Sequence, residues 1–244
     1  MRTYSARVSE IRLQGPLQGP DSASAWIACP PSAIPAPGRY VLAWAPDDAD
    51  APLATTLFAS DRDASHRLEP PSADSGFLAA PPLPRAWVPG TGLILRGPLG
   101  RGFSWPAPLR KLALAALGDT VARLIPLLDA ALTADASVAL FASGPLPSLP
   151  PAVEVNPLDV LPDAPAWADF LALDVPLESL PSLGRLLRME VGDTHLACPA
   201  QVLIYTAMPC GGLSDCGVCA LPVRRGWKLV CKDGPVFEVH ELLP

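Results

Sequence analysis

Four of the six cysteines of this chain lie within 22 residues, in the stretch MPCGGLSDCGVCALPVRRGWKLVCKDGPVF. They are Cys210, Cys216, Cys219 and Cys231, spaced C-x5-C-x2-C-x11-C. No other feature restricts the local fold as tightly, because thiols drawn to one place oblige the backbone between them to curl. Disulfides, a structural metal and an iron–sulfur cluster are the usual causes of such crowding. The stretch MRTYSARVSEIRL carries charges at Arg2, Arg7, Glu10 and Arg12 and lacks the apolar core of a signal peptide. A cytoplasmic location is expected, and structural disulfides are rare there.

Zinc sites built from four cysteines usually bring two close C-x2-C knuckles. Here only Cys216 and Cys219 form one, with Cys210 and Cys231 standing singly on either side. That layout is nearer the C-x4-C-x2-C spacing, followed by a distant cysteine, that holds a [2Fe–2S] cluster. Three thiolates from one loop and a fourth from a later element then give each iron two ligands. A structural zinc loop stays open as the alternative. Gly211, Gly212 and Gly217 let the loop take positive φ and aim N–H groups at sulfur. Asp215 and Asp233 would oppose the reduced state if their carboxylates lay near. Cys29 and Cys198 stand apart and read as buried free thiols.

The rest of the chain divides by pattern. Residues 1–108 are β-rich: RTYSARVSEIRL, SAWIACP, GRYVLAWAP, PLATTLFAS and TGLILRGPLG read as strands punctuated by Pro and Gly. They suggest a small antiparallel barrel. PPSADSGFLAAPPLPRAWVPG between them reads as loop with weak strand potential. From residue 109 the pattern alternates. RKLALAAL is an apolar run suited to a buried parallel strand, and GDTVARLIPLLDAALTADA has Leu124, Leu127, Leu128 and Leu132 at helical spacing. SVALFAS and PAWADFLALDV carry further strands, and PLESLPSLGRLLRM a helix. The expected architecture is α+β multi-domain. An antiparallel β-barrel over 1–108 is followed by a small α/β parallel-sheet domain over 109–200 and a short cysteine-rich module over 201–244. The 32 prolines keep these elements short.

Some functions are set aside by composition. The net charge is −6 and the basic residues form no stripe, so no nucleic-acid partner is expected. No run of 18 apolar residues exists, so no membrane span is expected. His66, His195 and His240 are scattered without partners at ligand spacing, and no G-x-S-x-G, H-E-x-x-H or P-loop pattern occurs. Trp227 reads as the anchor of a hairpin built on RRG, or else as a shield over a cluster. Arg224 and Arg225 read as a solvated turn, or else as a dock for an acidic surface.

MPCG, CGVCAL and KLVCKDGPVF together resemble the C-terminal cluster domain of the dihydroorotate dehydrogenase electron-transfer subunit family. Cys231, Asp233, Gly234, Pro235, Val236 and Phe237 reproduce its tail. GLILRGPLGRGF (92–103) is similar to the strand and turn that close that family's flavin barrel, and GRYVLAW (38–44) to an earlier barrel strand. The resemblance implies a [2Fe–2S] cluster on Cys210, Cys216, Cys219 and Cys231. It also implies a hetero-oligomer with a catalytic dehydrogenase subunit of pyrimidine biosynthesis. Three departures accompany it. Five residues, not four, separate the first two cysteines. The family's R-P-x-S motif falls on ATTLFASD, where Thr55, Thr56 and Ser60 offer flavin hydrogen bonds but no cation; Arg62 or Arg85 would have to reach in. The glycine-rich phosphate turn is reduced to Gly118, beside Asp119, which reads as a helix cap, and the family's C-G-P turn is replaced by LALDVPLES. FAD therefore stays an open candidate and NAD is not expected. Two functions follow: an electron-transfer subunit, or a zinc-stabilised partner-binding scaffold without enzymatic activity.

Overall fold

The structure is a computed structural model that describes residues 2–13, 23–47, 53–60, 75–144, 146–189, 196–224 and 226–242. Its first sheet contains β1 (Thr3–Leu13), β2 (Ala23–Ala28), β3 (Tyr40–Trp44), β4 (Thr55–Phe58), β5 (Gly76–Ala79) and β6 (Gly92–Leu99). The order is β4-β3-β6-β1-β2-β5, and every pairing is antiparallel. The two edges meet. Ala59 bridges Ala79, Ser60 N–H donates to the Leu78 carbonyl at 2.7 Å, and Ala80 N–H to the Phe58 carbonyl at 2.9 Å. The sheet thus closes into the expected barrel, which leaves few unpaired edge groups. Period-two alternation sends Val8, Ala25, Ile27, Val41, Ala43, Leu57, Phe77, Leu93 and Leu95 into one core. β5 lies inside the stretch read as loop. GFLA is only four residues long, and the prolines on its C-terminal side masked it.

The second sheet runs β14-β11-β10-β7-β8-β9. Its strands are β7 (Lys111–Ala116), β8 (Ser137–Ala142), β9 (Val153–Asn156), β10 (Phe170–Pro176), β11 (Ala200–Tyr205) and β14 (Val236–Glu238). All pairings are parallel except β11 with β14. β7 is buried on both faces, as its unbroken apolar run requires. Leu112 and Leu114 face one core with Leu124, Leu127 and Leu128, while Ala113 and Ala115 face another with Leu171, Leu173 and Leu183. The helices are short: α1 (Ile125–Thr133), α2 (Ala164–Trp167) and α3 (Leu180–Leu186). Pro126 sits in the first turn of α1, where its missing N–H is harmless. β9, VEVN, was not expected from the sequence; only Val153 of it is buried, so its pattern is weak.

The strand order reverses between β7 and β10. In doubly wound sheets the crevice at such a point, beyond the carboxyl ends of the strands, is where ligands bind. The chain then leaves β11, builds the cysteine loop, forms the hairpin β12 (Ala220–Val223) and β13 (Gly226–Leu229), makes the single turn α4 (Val230–Asp233), and returns as β14 and α5 (Val239–Leu242). One core spans all three parts: Tyr40, Leu42 and Phe58 from the barrel, Leu173 and Leu203 from the second sheet, and Cys219, Leu221, Cys231 and Phe237 from the tail.

Candidate metal centre

Two tight approaches hold the cysteine tail against the barrel. Arg101 N–H donates to the Gly234 carbonyl at 2.7 Å, and Arg101 forms a parallel bridge with Pro235. Gly100 has φ +76°, and a Cβ there would lie 2.5 Å from Pro235 Cδ and 2.8 Å from the Gly234 oxygen. Only glycine fits. The segments GPLGRGF and CKDGPVF, which carry the family resemblance, are thus two halves of one contact. The second approach is Tyr40. Its hydroxyl donates to the Cys231 carbonyl at 2.9 Å from a fully buried position in β3. Burial, and then the sulfurs of Cys231 and Cys219, push the Tyr40 phenol up, so it stays a donor.

The four cysteines meet in this setting as two pairs. Cys210 lies in the turn after β11, with Met208, two residues before it, buried. Burial works against its thiolate, but backbone N–H groups of Asp215, Cys216 and Ser214 and the Cys216 thiol donate to it and bring the Cys210 pKa down to about 6. Cys219 and Cys231 form the inner pair, 2% and 6% exposed. Burial raises the Cys231 thiol to about 11; Ser214 opposes this, and the hydrogen bond with Cys219 adds to it. Among the described residues, no group of three or more His, Cys, Asp or Glu converges as a single metal ion would require. A two-iron cluster asks for something else: two thiolates on each iron. Cys210 with Cys216, and Cys219 with Cys231, supply that arrangement, so the donor set fits a [2Fe–2S] group.

The loop is shaped for this. Gly211, Gly212 and Gly217 have φ of +63°, +71° and +71°. Gly212 packs so closely on the barrel that a Cβ would lie 3.3 Å from the Tyr40 hydroxyl and 3.4 Å from Leu42 Cδ1. Asp233 does not face the sulfurs. Its carboxylate reaches back to accept the Leu229 N–H at 2.8 Å and so braces α4, the turn that carries Cys231. Asp215 contributes its backbone N–H to Cys210, and its side chain is solvent-exposed. Cys216 is the exposed cysteine of the four. The hairpin forms on Arg224 and Gly226 as expected, but Trp227 is 72% exposed and neither anchors it nor covers the cysteines. A strand pair this short has one buried face, and Leu221 takes it. Cys29 and Cys198 are buried thiols, raised by burial to about 12 and about 11. His240 is exposed; Arg62, His66, His195 and Arg225 lie outside the described residues.

The dinucleotide crevice is filled from within. Asp174, fully buried at the end of β10, pairs with Arg123 at 2.8 Å, and Arg123 is itself 3% exposed. Arg123 Nη1 donates to the Pro81 carbonyl at 3.1 Å, and its guanidinium lies 4.1 Å from the centre of the Tyr205 ring. Tyr205 meets Phe58, and Phe58 meets Tyr40, with ring centres 6.3 and 6.0 Å apart. Gly118 backs onto Pro176, 3.1 Å from where its Cβ would be. Arg123 Nη2 lies 3.9 Å from the same point, so the buried ion pair sits beside the turn that stands in the place of a glycine-rich one. Asp119 makes no cap; Thr120 Oγ1 accepts the Ala122 N–H at 3.1 Å instead, because α1 starts later than the sequence suggested.

Thr55 and Thr56 sit half-buried on β4, opposite Ala43 and Leu42, and Ser60 is buried past its end. Thr56 is thus one strand away from the cysteine loop, through Leu42. Arg85 is exposed on the loop after β5. A hollow of about 520 Å³ opens beyond Ala59, bounded by Ile34, Phe103, Trp105 and Leu127, and no charged side chain is among its lining residues. These residues offer a flavin ring hydroxyls and apolar surface, and its pyrophosphate no cation.

Residues 206–243 match the iron–sulfur cluster binding domain of dihydroorotate dehydrogenase B. The chain is like the electron-transfer subunit of that enzyme. The fold agrees. A chain from the structure of NADH-dependent reduced ferredoxin–NADP oxidoreductase, a flavin-based electron-bifurcating enzyme, superposes with a TM-score of 0.69 at 17% identity, over 97% of this chain and 88% of that one. The ferredoxin reductase of carbazole 1,9a-dioxygenase superposes with a TM-score of 0.53 at 17% identity, over 77% and 64%. The cytochrome P450 reductase of Amycolatopsis gives 0.53 at 14%, over 77% and 66%. At these identities the likeness is one of fold, ferredoxin-reductase-like. No curated protein matches the sequence.

Proposed function

We propose that this chain is the electron-relay subunit of a hetero-oligomeric oxidoreductase, holding a [2Fe–2S] cluster on Cys210, Cys216, Cys219 and Cys231. The observation that carries the reading is the pairing of these four cysteines in a loop that barrel and tail hold from both sides. The cluster supplies one-electron transfer. The chain's own residues do the rest. Tyr40 fixes the Cys231 carbonyl, Asp233 fixes the turn beneath it, and backbone N–H groups at 214–216 offset the charge on Cys210. Cys219 and Cys231 are kept dry, whereas Cys216 reaches the surface and gives electrons a short way out.

The partner, by family likeness, is a catalytic dihydroorotate dehydrogenase subunit bearing its own flavin. The filled crevice supports a chain without its own pyridine nucleotide, and the uncharged flavin strand supports placing the exchanging flavin on the partner. Affinity purification of the tagged chain from its native cell, with mass spectrometry and flavin analysis of what accompanies it, tests this. A stoichiometric flavoprotein subunit is expected. A chain that purifies alone with a full complement of FAD released on denaturation contradicts the assignment of the flavin.

A further inference from the structure

Four described residues of the cysteine loop take left-handed backbone, and three are glycines: Gly211, Gly212 and Gly217. The fourth is Ser214, at φ +68°. Glycine adopts that conformation without strain and serine does not. A side chain kept in such a place calls for a use of the side chain. Ser214 Oγ lies 3.7 Å from Cys231 Sγ, within hydrogen-bonding reach for sulfur, and among the described residues it is the one side-chain hydroxyl that meets any of the four sulfurs. Cys231 is among the buried ligands, and its carbonyl is tied to Tyr40. The hydroxyl and sulfur are thus both held, one by the loop and one by the barrel.

We propose that Ser214 sets the reduction potential of the cluster, by donating its O–H to the Cys231 thiolate. This rests on the [2Fe–2S] reading above. A donor on a ligand sulfur favours the more electron-rich, reduced state, so its presence raises the potential. Ser214 acts through Cys231 and not on a substrate; it is a positioning residue for electron density. The direction is fixed by charge: reduction adds one electron, which the ligand sulfurs share, and an O–H dipole pointing at one of them stabilises it.

Two variants separate the hydroxyl from the backbone. Ser214→Ala keeps a Cβ in left-handed backbone and loses the hydroxyl. Ser214→Gly also loses the hydroxyl and relieves the backbone. The potential of each reconstituted protein is read by redox titration against the reduced-state electron paramagnetic resonance signal, with iron and sulfide per chain measured alongside. Both variants should assemble the cluster and shift the one-electron equilibrium toward oxidised by about threefold to tenfold, a fall of up to about 59 mV for one electron. The shift should be the same in both. Unchanged potentials overturn the proposal, as does a fall in the alanine variant alone, which would be a backbone effect. Loss of the cluster in either variant would make Ser214 structural and overturn it too. Failure of the unaltered protein to take up iron and sulfide is a different result, and it would remove the cluster reading itself.

Discussion

Arg123 and Asp174 offer the sharpest energetic test of the idea that the dinucleotide crevice is sealed by the chain itself. Replacing Arg123 by Met keeps most of the volume and removes the cation. Asp174 then keeps no ion-pair partner in a site with 0% exposure, and its Oδ1 already has no hydrogen-bond partner. Breaking a buried pair in this way costs about 3–5 kcal/mol. Asp174→Leu strands the guanidinium, but the Pro81 carbonyl and the Tyr205 ring still hold it, and a desolvated cation–π contact is worth about 2 kcal/mol. Its cost should fall at or below the lower end of that range. The double variant removes both charges and should return to within about 1 kcal/mol of the parent, since apolar replacement of a buried pair is often neutral. Urea unfolding followed by circular dichroism reads all four proteins. The pH dependence has a sign. Burial raises the Asp174 carboxyl above 3.8 and Arg123 lowers it. Without Arg123 only the raising influence remains, so the folded variant holds its proton more tightly than the unfolded chain does. Its deficit should be largest at neutral pH and shrink as pH falls toward 3.8. A single variant losing under about 1 kcal/mol, or a double variant as weak as the sum of the singles, would refute the reasoning.

Three further outcomes are expected. In the chelator-stripped protein, iodoacetamide at pH 7 should modify Cys210 well before Cys198 or Cys29, because its thiolate persists down to about pH 6 while theirs need pH near 11 and 12; peptide mass spectrometry over time shows the order, and equal rates would contradict it. Gly100→Ala should cost about 1–3 kcal/mol by overpacking against Pro235 and should speed cluster loss on warming, both visible in one melt followed in the ultraviolet and the visible. NADH titrated against tryptophan fluorescence should give no saturation below about 1 mM, a binding free energy weaker than about 4 kcal/mol; a micromolar isotherm would show that the crevice opens.

How far the sequence revealed this arrangement depended on the kind of signal. Period-two runs such as LILRG and apolar runs such as KLALAA gave the two sheets, because burial repeats along a strand. GFLA and VEVN were too short, or too polar, to show a period. The four cysteines proposed to hold the cluster stood out because thiols at that spacing have few uses. Tyr40, Ser214, Arg123 and Asp174 were not. Tyr40 hid inside an ordinary strand, and Ser214 inside a glycine-rich turn where serine is common. Arg123 and Asp174 lie 51 residues apart and meet only through the β7–β10 pairing. Trp227, read first as the anchor of the hairpin and otherwise as a shield, is neither for a related reason: a two-stranded hairpin has one outer face, and Trp227 is on it.

The central claim is the cluster. Anaerobic purification followed by iron, sulfide and zinc analysis with a visible spectrum tests it most directly. The account predicts about two iron and two acid-labile sulfide per chain, absorption between roughly 400 and 600 nm, and a paramagnetic signal on one-electron reduction. A colourless protein holding one zinc on the same four cysteines would contradict it.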